Sequence, residues 1–210
     1  MRTAALSLAL VAAIASGAVY GRVRQVARAT APAAQGEGLK PVGAFSSITD
    51  EAARSAAYFT EAGKALQHPR CLNCHPASDR PSQHEAMTPH EPKVVRGADG
   101  MGVAAMRCAT CHGDHNFEAS HAPGNPAWRL APASMGWQDK SLKEICEQLK
   151  DRKRNGGKSD AQMILHSKED DLIGWGWAPG GGREPAPGTQ AQFGALIEAW
   201  LKSGGHCPQG

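Results

Sequence analysis

The pattern C-x-x-C-H occurs twice in this chain, as Cys71-Leu72-Asn73-Cys74-His75 and as Cys108-Ala109-Thr110-Cys111-His112. With six cysteines and nine histidines in 210 residues, chance supplies about 0.007 copies per chain, so two by accident is an event on the order of one in tens of thousands. The pattern is that of covalent haem attachment. Two thiols three residues apart on one turn add to the two vinyl groups on one edge of the macrocycle, and the adjacent imidazole reaches under the iron as its first axial ligand. The expectation is two haem c groups, attached through Cys71 and Cys74 and through Cys108 and Cys111, with His75 and His112 on the irons.

Two rival readings share the cysteines. A four-cysteine zinc site expects its pairs roughly 15 to 20 residues apart, whereas 33 residues separate Cys74 from Cys108. Zinc also gives no reason for a histidine directly after each pair. A thioredoxin-like dithiol needs a βαβ setting, and no such pattern surrounds either motif.

The N-terminus agrees with haem c chemistry, which belongs to exported chains. Arg2 precedes nineteen uncharged residues, Thr3 to Gly21, with an apolar stretch from Leu6 to Ile14 and a small-x-small site at Ser16-Gly17-Ala18. These are the parts of a secretory signal cut after Ala18. The rival is an uncleaved anchor to about residue 21, because nineteen uncharged residues just span a bilayer, and Arg22, Arg24 and Arg28 prefer the cytoplasmic side. Residues 19–47 mix Ala, Gly, Pro and Gln without periodicity and read as a flexible tether, or else as an arm wrapped on the domain. The expected domain is 48–210, in the periplasm, either free or tethered to the inner membrane.

Four helices are legible. Thr49-Asp50 opens one that runs to about Gln67, with an alanine-rich apolar face. Ser141 and Glu144 form a capping box before Leu142, Ile145, Cys146 and Leu149, spaced i, i+3, i+4, i+7. Ser159 opens a short helix carrying Met163 and His166, and Thr189 opens one with Phe193, Leu196, Ile197, Trp200 and Leu201 on its apolar face. Aromatic residues make up only 5% of the chain, which argues against an all-β fold. The expectation is a mainly α domain of the dihaem cytochrome c type, with long irregular loops and haem replacing part of the core.

The two remaining cysteines, Cys146 on a buried helical face and Cys207 after the last helix, are expected to pair in an oxidising compartment. Two free thiols are the alternative. The formal charge of +3 is too weak to suggest nucleic acid. Loss of Arg2 with the leader and the addition of about four propionate charges bring the holoprotein near neutrality.

Each iron has a second axial position, and its ligand decides between electron transfer and chemistry on a substrate. His90 stands between Pro89 and Pro92, which stiffen the backbone. Met135, in Pro132-Ala133-Ser134-Met135 with Trp128 and Trp137 alongside, resembles the distal methionine loop of small cytochromes c. The order of candidates is His90, Met135, His166, then His68. Trp175 and Trp177 are read first as core packing and otherwise as neighbours of a haem edge. Arg70, Arg96 and Arg107 are either solvated or partners of haem propionates.

A longer set of strings carries a resemblance. HPRCLNCHP (68–76), VVRGADGMG (94–102), MRCATCH (106–112), LAPASMGW (130–137), KSLKEICEQLKD (140–151), RNGGKS (154–159), GWGWAPG (174–180) and REPAPGTQAQFGALIEAW (183–200) resemble bacterial exported dihaem cytochromes labelled as isoquinoline 1-oxidoreductase subunits. The resemblance covers about residues 65 to 207. It implies an electron carrier that accepts electrons from an exported molybdenum-containing hydroxylase or dehydrogenase and passes them to a membrane acceptor of the respiratory chain. The chain is too short, and has too few uncommitted cysteines, to be the molybdenum subunit itself, so it is expected not to be an enzyme. The competing readings are a small peroxidase-like dihaem enzyme, with Glu91 or His115 as acid or base, and a haem-based sensor with one open iron.

Overall fold

The computed structural model describes residues 38–209; the expected signal segment and most of the expected tether lie outside them. The described part is mainly helical, with long irregular segments and only two short ribbons. In chain order the elements are α1 (Glu51–Leu66), α2 (Pro69–Leu72), β1 (Ser82–Gln83), β2 (Thr88–Pro89), β3 (Gly102–Val103), β4 (Met106–Arg107), α3 (Leu142–Lys150), α4 (Asp160–Glu169), α5 (Asp171–Gly174) and α6 (Gln190–Lys202). Strands β1 and β2 pair antiparallel, as do β3 and β4. Among the described residues no helix is long and apolar enough to cross a membrane.

The helices start where their side chains satisfy the orphan N–H groups of the first turn. Asp50 accepts from the Ala53 N–H at 2.7 Å. Ser141 and Glu144 complete a reciprocal capping box, as do Ser159 and Gln162. Thr189 accepts from the N–H of Gln192.

α1 packs its Tyr58, Phe59, Ala62 and Leu66 face on α6, which in turn lies against α4. Phe59 and Trp200 meet with ring centres 4.5 Å apart. Trp200, Phe59, Ile145, Leu196 and Ile197 are all fully buried; each such side chain stabilises the fold by roughly 1.5–3 kcal/mol through lost contact with water. Gly63 lets α3 approach α1: a Cβ there would lie 2.7 Å from both methyl carbons of Leu142.

Cys146 and Cys207 form the expected disulfide. The segment after α6 is fastened further by Ser55, which receives the His206 N–H at 3.0 Å and donates its own hydroxyl to the Trp200 carbonyl at 3.1 Å. The indole N–H of Trp200 donates to the carbonyl of His206.

Of the two readings of the segment before α1, residues 38–47 follow the arm and not the tether: Leu39 is buried in the core, Phe45 meets Tyr58 edge-on at 5.3 Å, and the Lys40 N–H donates to Glu61. Three apolar residues, Leu39, Val42 and Phe45, are too few and too interrupted by Gly, Pro and Lys to show a period, yet they suffice to cover one end of α1.

The segment from Asn73 to Lys140 has little regular structure, so side chains hold it. Arg96 is nearly fully buried. Its guanidinium donates to the carbonyls of Ala131, Ser78 and Pro76, joining the stretch after the first C-x-x-C-H motif to the stretch before Met135.

Candidate functional site

The first motif lies at the end of α2. His68 caps this one-turn helix, and Pro69 occupies its first position, where no N–H is needed. Cys71, Cys74 and His75 all line a cavity of about 640 Å³, within the usual range for sites that enclose a large ligand. Its walls are largely apolar, with Leu66, Leu149, Ile173, Trp177, Phe193 and Ile197 among them. Those residues come from α1, α3, α5, the turn after α5, and α6, so the helical core forms one side of the cavity.

Burial pushes the Cys71 thiol up to about 12 and the Cys74 thiol up to about 11. A neutral sulfur, thiol or thioether, sits there without electrostatic penalty, whereas a thiolate would not. Among the described residues no three His, Cys, Asp or Glu side chains converge as a metal site. Haem iron asks less of a chain, since the macrocycle supplies four nitrogens and the protein at most two axial ligands.

His75 is oriented by its surroundings. Its Nδ1 lies 2.7 Å from the carbonyl of Met135. A carbonyl only accepts, so Nδ1 must carry the proton and Nε2 must keep its lone pair. Burial pushes the ring down to about 3, so it is neutral across the physiological range. Trp137 stacks on it, ring centres 3.4 Å apart and planes 8° from parallel, while the Trp137 N–H donates to the His75 carbonyl at 2.8 Å.

Met135, one of the expected distal ligands, thus supplies its carbonyl to the Nδ1 edge of His75. Its side chain is buried and lines the same cavity. His166, on α4, also lines the cavity. Its Nδ1 is 2.9 Å from Asp170, and its positive form would disfavour that of His75. Burial lowers the His166 pKa, with Asp170 opposing.

The second motif repeats this local arrangement on the surface. Cys108 begins a short 3-10 turn, Cys108–Thr110, and Cys111 is exposed. The Nδ1 of His112 lies 2.7 Å from the carbonyl of Pro123, and Trp128 stacks on the ring at 4.8 Å and 18°. Each motif histidine is therefore held by a downstream backbone carbonyl and flanked by a tryptophan a few residues further on.

His90, expected as a ligand, stands beside this second site, its ring centre 5.9 Å from that of His112 and the planes 65° apart. Its N–H donates to the Pro81 carbonyl, its carbonyl receives the Arg80 guanidinium, and its Nδ1 lies 3.0 Å from the carbonyl of Pro92. His68, the fourth candidate, differs in kind: its Nδ1 accepts the Arg70 N–H at 3.2 Å, so the proton of the neutral ring is on Nε2 and no lone pair remains for a metal.

The expected residues divide into two groups: Cys71, Cys74, His75, Met135 and His166 around the cavity, and Cys108, Cys111, His112 and His90 at the surface. Trp128 belongs to both, since it stacks on His112 and also lines the cavity, where it meets Trp175 edge-on at 5.0 Å.

The basic residues sort differently from expectation. Arg107 is paired with Asp99 and also donates to the Gly102 carbonyl. Arg70 is buried, pairs with Glu85 and donates to the Glu184 carbonyl. Arg96 keeps a buried Nε without a hydrogen-bond partner, with Asp79 3.6 Å away. Arg129 and Lys158 line the cavity and form no ion pair among the described residues. Arg129 and Lys158 are therefore the cations best placed to meet carboxylates of a guest. Trp137 adds a buried indole N–H with no partner. These features fit a large apolar ring system that carries acid groups.

Of the residues suggested for acid–base catalysis, Glu91 is held in an ion pair by Arg80, and His115 lies exposed at the surface. The sequence reading placed Trp128 and Trp137 beside Met135 but not on the motif histidines, and it missed Asp170 and the orienting carbonyls. The tryptophans left a trace, standing close after each motif, but the carbonyls leave none, since every residue has one. No protein-family model, no curated protein and no solved structure matches the chain.

Proposed function

We propose that the chain is an exported dihaem c-type cytochrome, an electron carrier rather than a catalyst. The observation that carries this reading is the shared condition of the two motif histidines: each has its Nδ1 proton engaged by a backbone carbonyl, which leaves Nε2 for iron, as outer partners of metal-bound histidines do. The cavity behind Cys71 and Cys74 adds support, with an apolar lining and unpaired cations suited to propionates.

Bound at these motifs, haem supplies a one-electron ferric–ferrous couple. The residues do the rest. Cys71, Cys74, Cys108 and Cys111 would hold the groups, and His75 and His112 would each supply a ligand. Met135 and Pro123 fix the ring orientation through their carbonyls, and the apolar walls of the first site would lie against the macrocycle.

The two sites have different outlooks. The first lines a deep cavity that is open on one side, while the second lies where Cys111 is exposed. Three of the five large hydrophobic side chains exposed among the described residues, Val103, Met106 and Phe117, flank the second motif in the chain, and a fourth, Met87, lies three residues before His90. This makes the second site the natural port for exchange with a partner. On the resemblance of the chain, the donor is an exported molybdenum-containing oxidoreductase and the acceptor a membrane component of the respiratory chain, which puts the carrier in the periplasm.

The test is production of the full chain with a haem c assembly system, followed by a haem count per chain from the pyridine haemochrome and intact mass. Two covalent haems, falling to one in the double variant Cys71→Ala, Cys74→Ala and likewise in Cys108→Ala, Cys111→Ala, are expected. A chain that leaves this system without covalent haem overturns the reading.

A further inference from the structure

Beyond the two proximal ligands, the arrangement of ring nitrogens points to a ligand set. We propose that each iron is held between two histidines, His75 with His166 in the enclosed site and His112 with His90 at the surface; the proposal rests on the dihaem reading above.

All nine histidines lie within the described residues, and four of them have Nδ1 against an acceptor: His75 on Met135, His90 on Pro92, His112 on Pro123 and His166 on Asp170. In the first three the partner is a backbone carbonyl, and in the fourth a carboxylate. None of these carbonyls donates, and an ionised carboxylate does not either, so the proton belongs to Nδ1 and Nε2 is left as a free lone pair. That is the tautomer a metal-bound imidazole needs, with the outer hydrogen bond that fixes its orientation. The four are not scattered: two line one cavity, and two have ring centres 5.9 Å apart, one of them in the second motif.

The surface pair has a spacing that two such ligands would allow. Two imidazoles on opposite sides of one iron, with metal–nitrogen bonds of about 2 Å, have ring centres about 6 Å apart. His90 and His112 stand at 5.9 Å. His90 is held at its N–H, its carbonyl and its ring, which fixes the ring beside His112.

In the enclosed site the rivals to His166 are sulfurs. Met135 already serves His75 from the Nδ1 edge through its carbonyl, so its segment lies on the side of the ring away from Nε2. Met163 lies one turn before His166 on α4 and lines the cavity as well. What separates them is the orienting carboxylate, which His166 has and Met163 lacks.

The experiment uses the full-length holoprotein in the ferric state, with the haem count taken alongside. Near-infrared and EPR spectra are expected to show two low-spin haems without the sulfur-to-iron charge-transfer band. The surface haem should give the strongly anisotropic low-spin signal of imidazole planes far from parallel, given the 65° between His90 and His112. His90→Ala and His166→Ala should each keep two haems but turn one of them high-spin and reactive to carbon monoxide when reduced. His90→Met should stay low-spin and bring in the sulfur band.

Two haems with a sulfur band in the unmodified protein would overturn the ligand set and leave the carrier reading standing. So would a His90→Ala or His166→Ala protein with both haems still low-spin. A protein with no covalent haem would overturn both together.

Discussion

Asp170 holds His166 while it caps the next helix: Oδ2 lies 2.9 Å from the His166 Nδ1, and Oδ1 receives the N–H groups of Leu172 and Ile173. One carboxylate thus fixes both the imidazole and the α4–α5 junction that carries it. The capping role sets where the carboxylate sits, and the imidazole follows.

A charged hydrogen-bond acceptor on Nδ1 makes the ring a stronger donor to ferric than to ferrous iron. Asp170→Asn keeps a capping oxygen but removes the charge. The midpoint potential of the enclosed haem is expected to rise; a tenfold change in relative affinity for the two iron states, the low end of such outer-partner effects, is about 59 mV for a one-electron couple. A spectroelectrochemical titration that resolves the two haems checks this, with the surface haem unchanged.

Gly136 lies between the residue that orients His75 and the residue that stacks on it. A Cβ there would stand 2.8 Å from the Pro76 carbonyl oxygen, a backbone atom that cannot swing aside. Gly136→Ala is expected to cost roughly 1–3 kcal/mol, the usual penalty for overpacking. Since Trp137 moves with it, the spectrum of the enclosed haem should change more than that of the surface haem. Chemical denaturation together with the absorption spectrum reports both.

The Cys146–Cys207 bridge closes a separation of 61 residues. The chain-entropy account gives about 4 kcal/mol for a loop of this length. The double variant Cys146→Ser, Cys207→Ser should lose stability of that order in urea unfolding, with helix content at zero denaturant retained. Two serines avoid the stray thiol that a single variant would leave.

Hydrogen bonds from Lys168, then Lys202, and their positive charges hold the Glu198 carboxyl down to about 2, from an ordinary value near 4.5. The folded value is the lower one, so the contribution of this group is fully present above about pH 4.5 and is lost as pH falls toward 2. The effect is small because the cluster is solvated and screened by salt. Glu198→Gln should therefore show a shallower acid-side decline in thermal stability between those limits, and 0.5 M salt should shrink the difference.

The helices were legible because their signals are local. Asp50, Ser141, Ser159 and Thr189 mark four starts, and each caps as its chemistry requires. Cys146 could be placed on a buried face from spacing alone, and its partner followed by count. The packed arm around Leu39 was not legible, since three apolar residues without a period look like linker until the helix they cover is known.

The motif histidines were equally plain, but the second ring of each proposed pair was not. His90 and His166 stood out among candidates for different reasons, a proline frame and a helix position. Only the structure shows that His90 lies against His112 and that His166 shares a cavity with His75. The demotion of His68 depends on which nitrogen accepts the Arg70 N–H, a fact about backbone geometry that residue types do not carry.

The cavity wall has a consequence for the order of assembly. Cys71 and Cys74 lie near the start of the described chain, whereas Phe193 and Ile197, which also line the cavity, belong to the last helix. A chain delivered N-terminus first therefore presents its attachment sulfurs long before it can complete the enclosure. Once α6 has docked on α1 and the disulfide has locked the segment beyond it, that wall of the cavity is fixed. Ligation before α6 docks would give a flat guest its freest approach, with the final helix and its bridge completing the wall after loading.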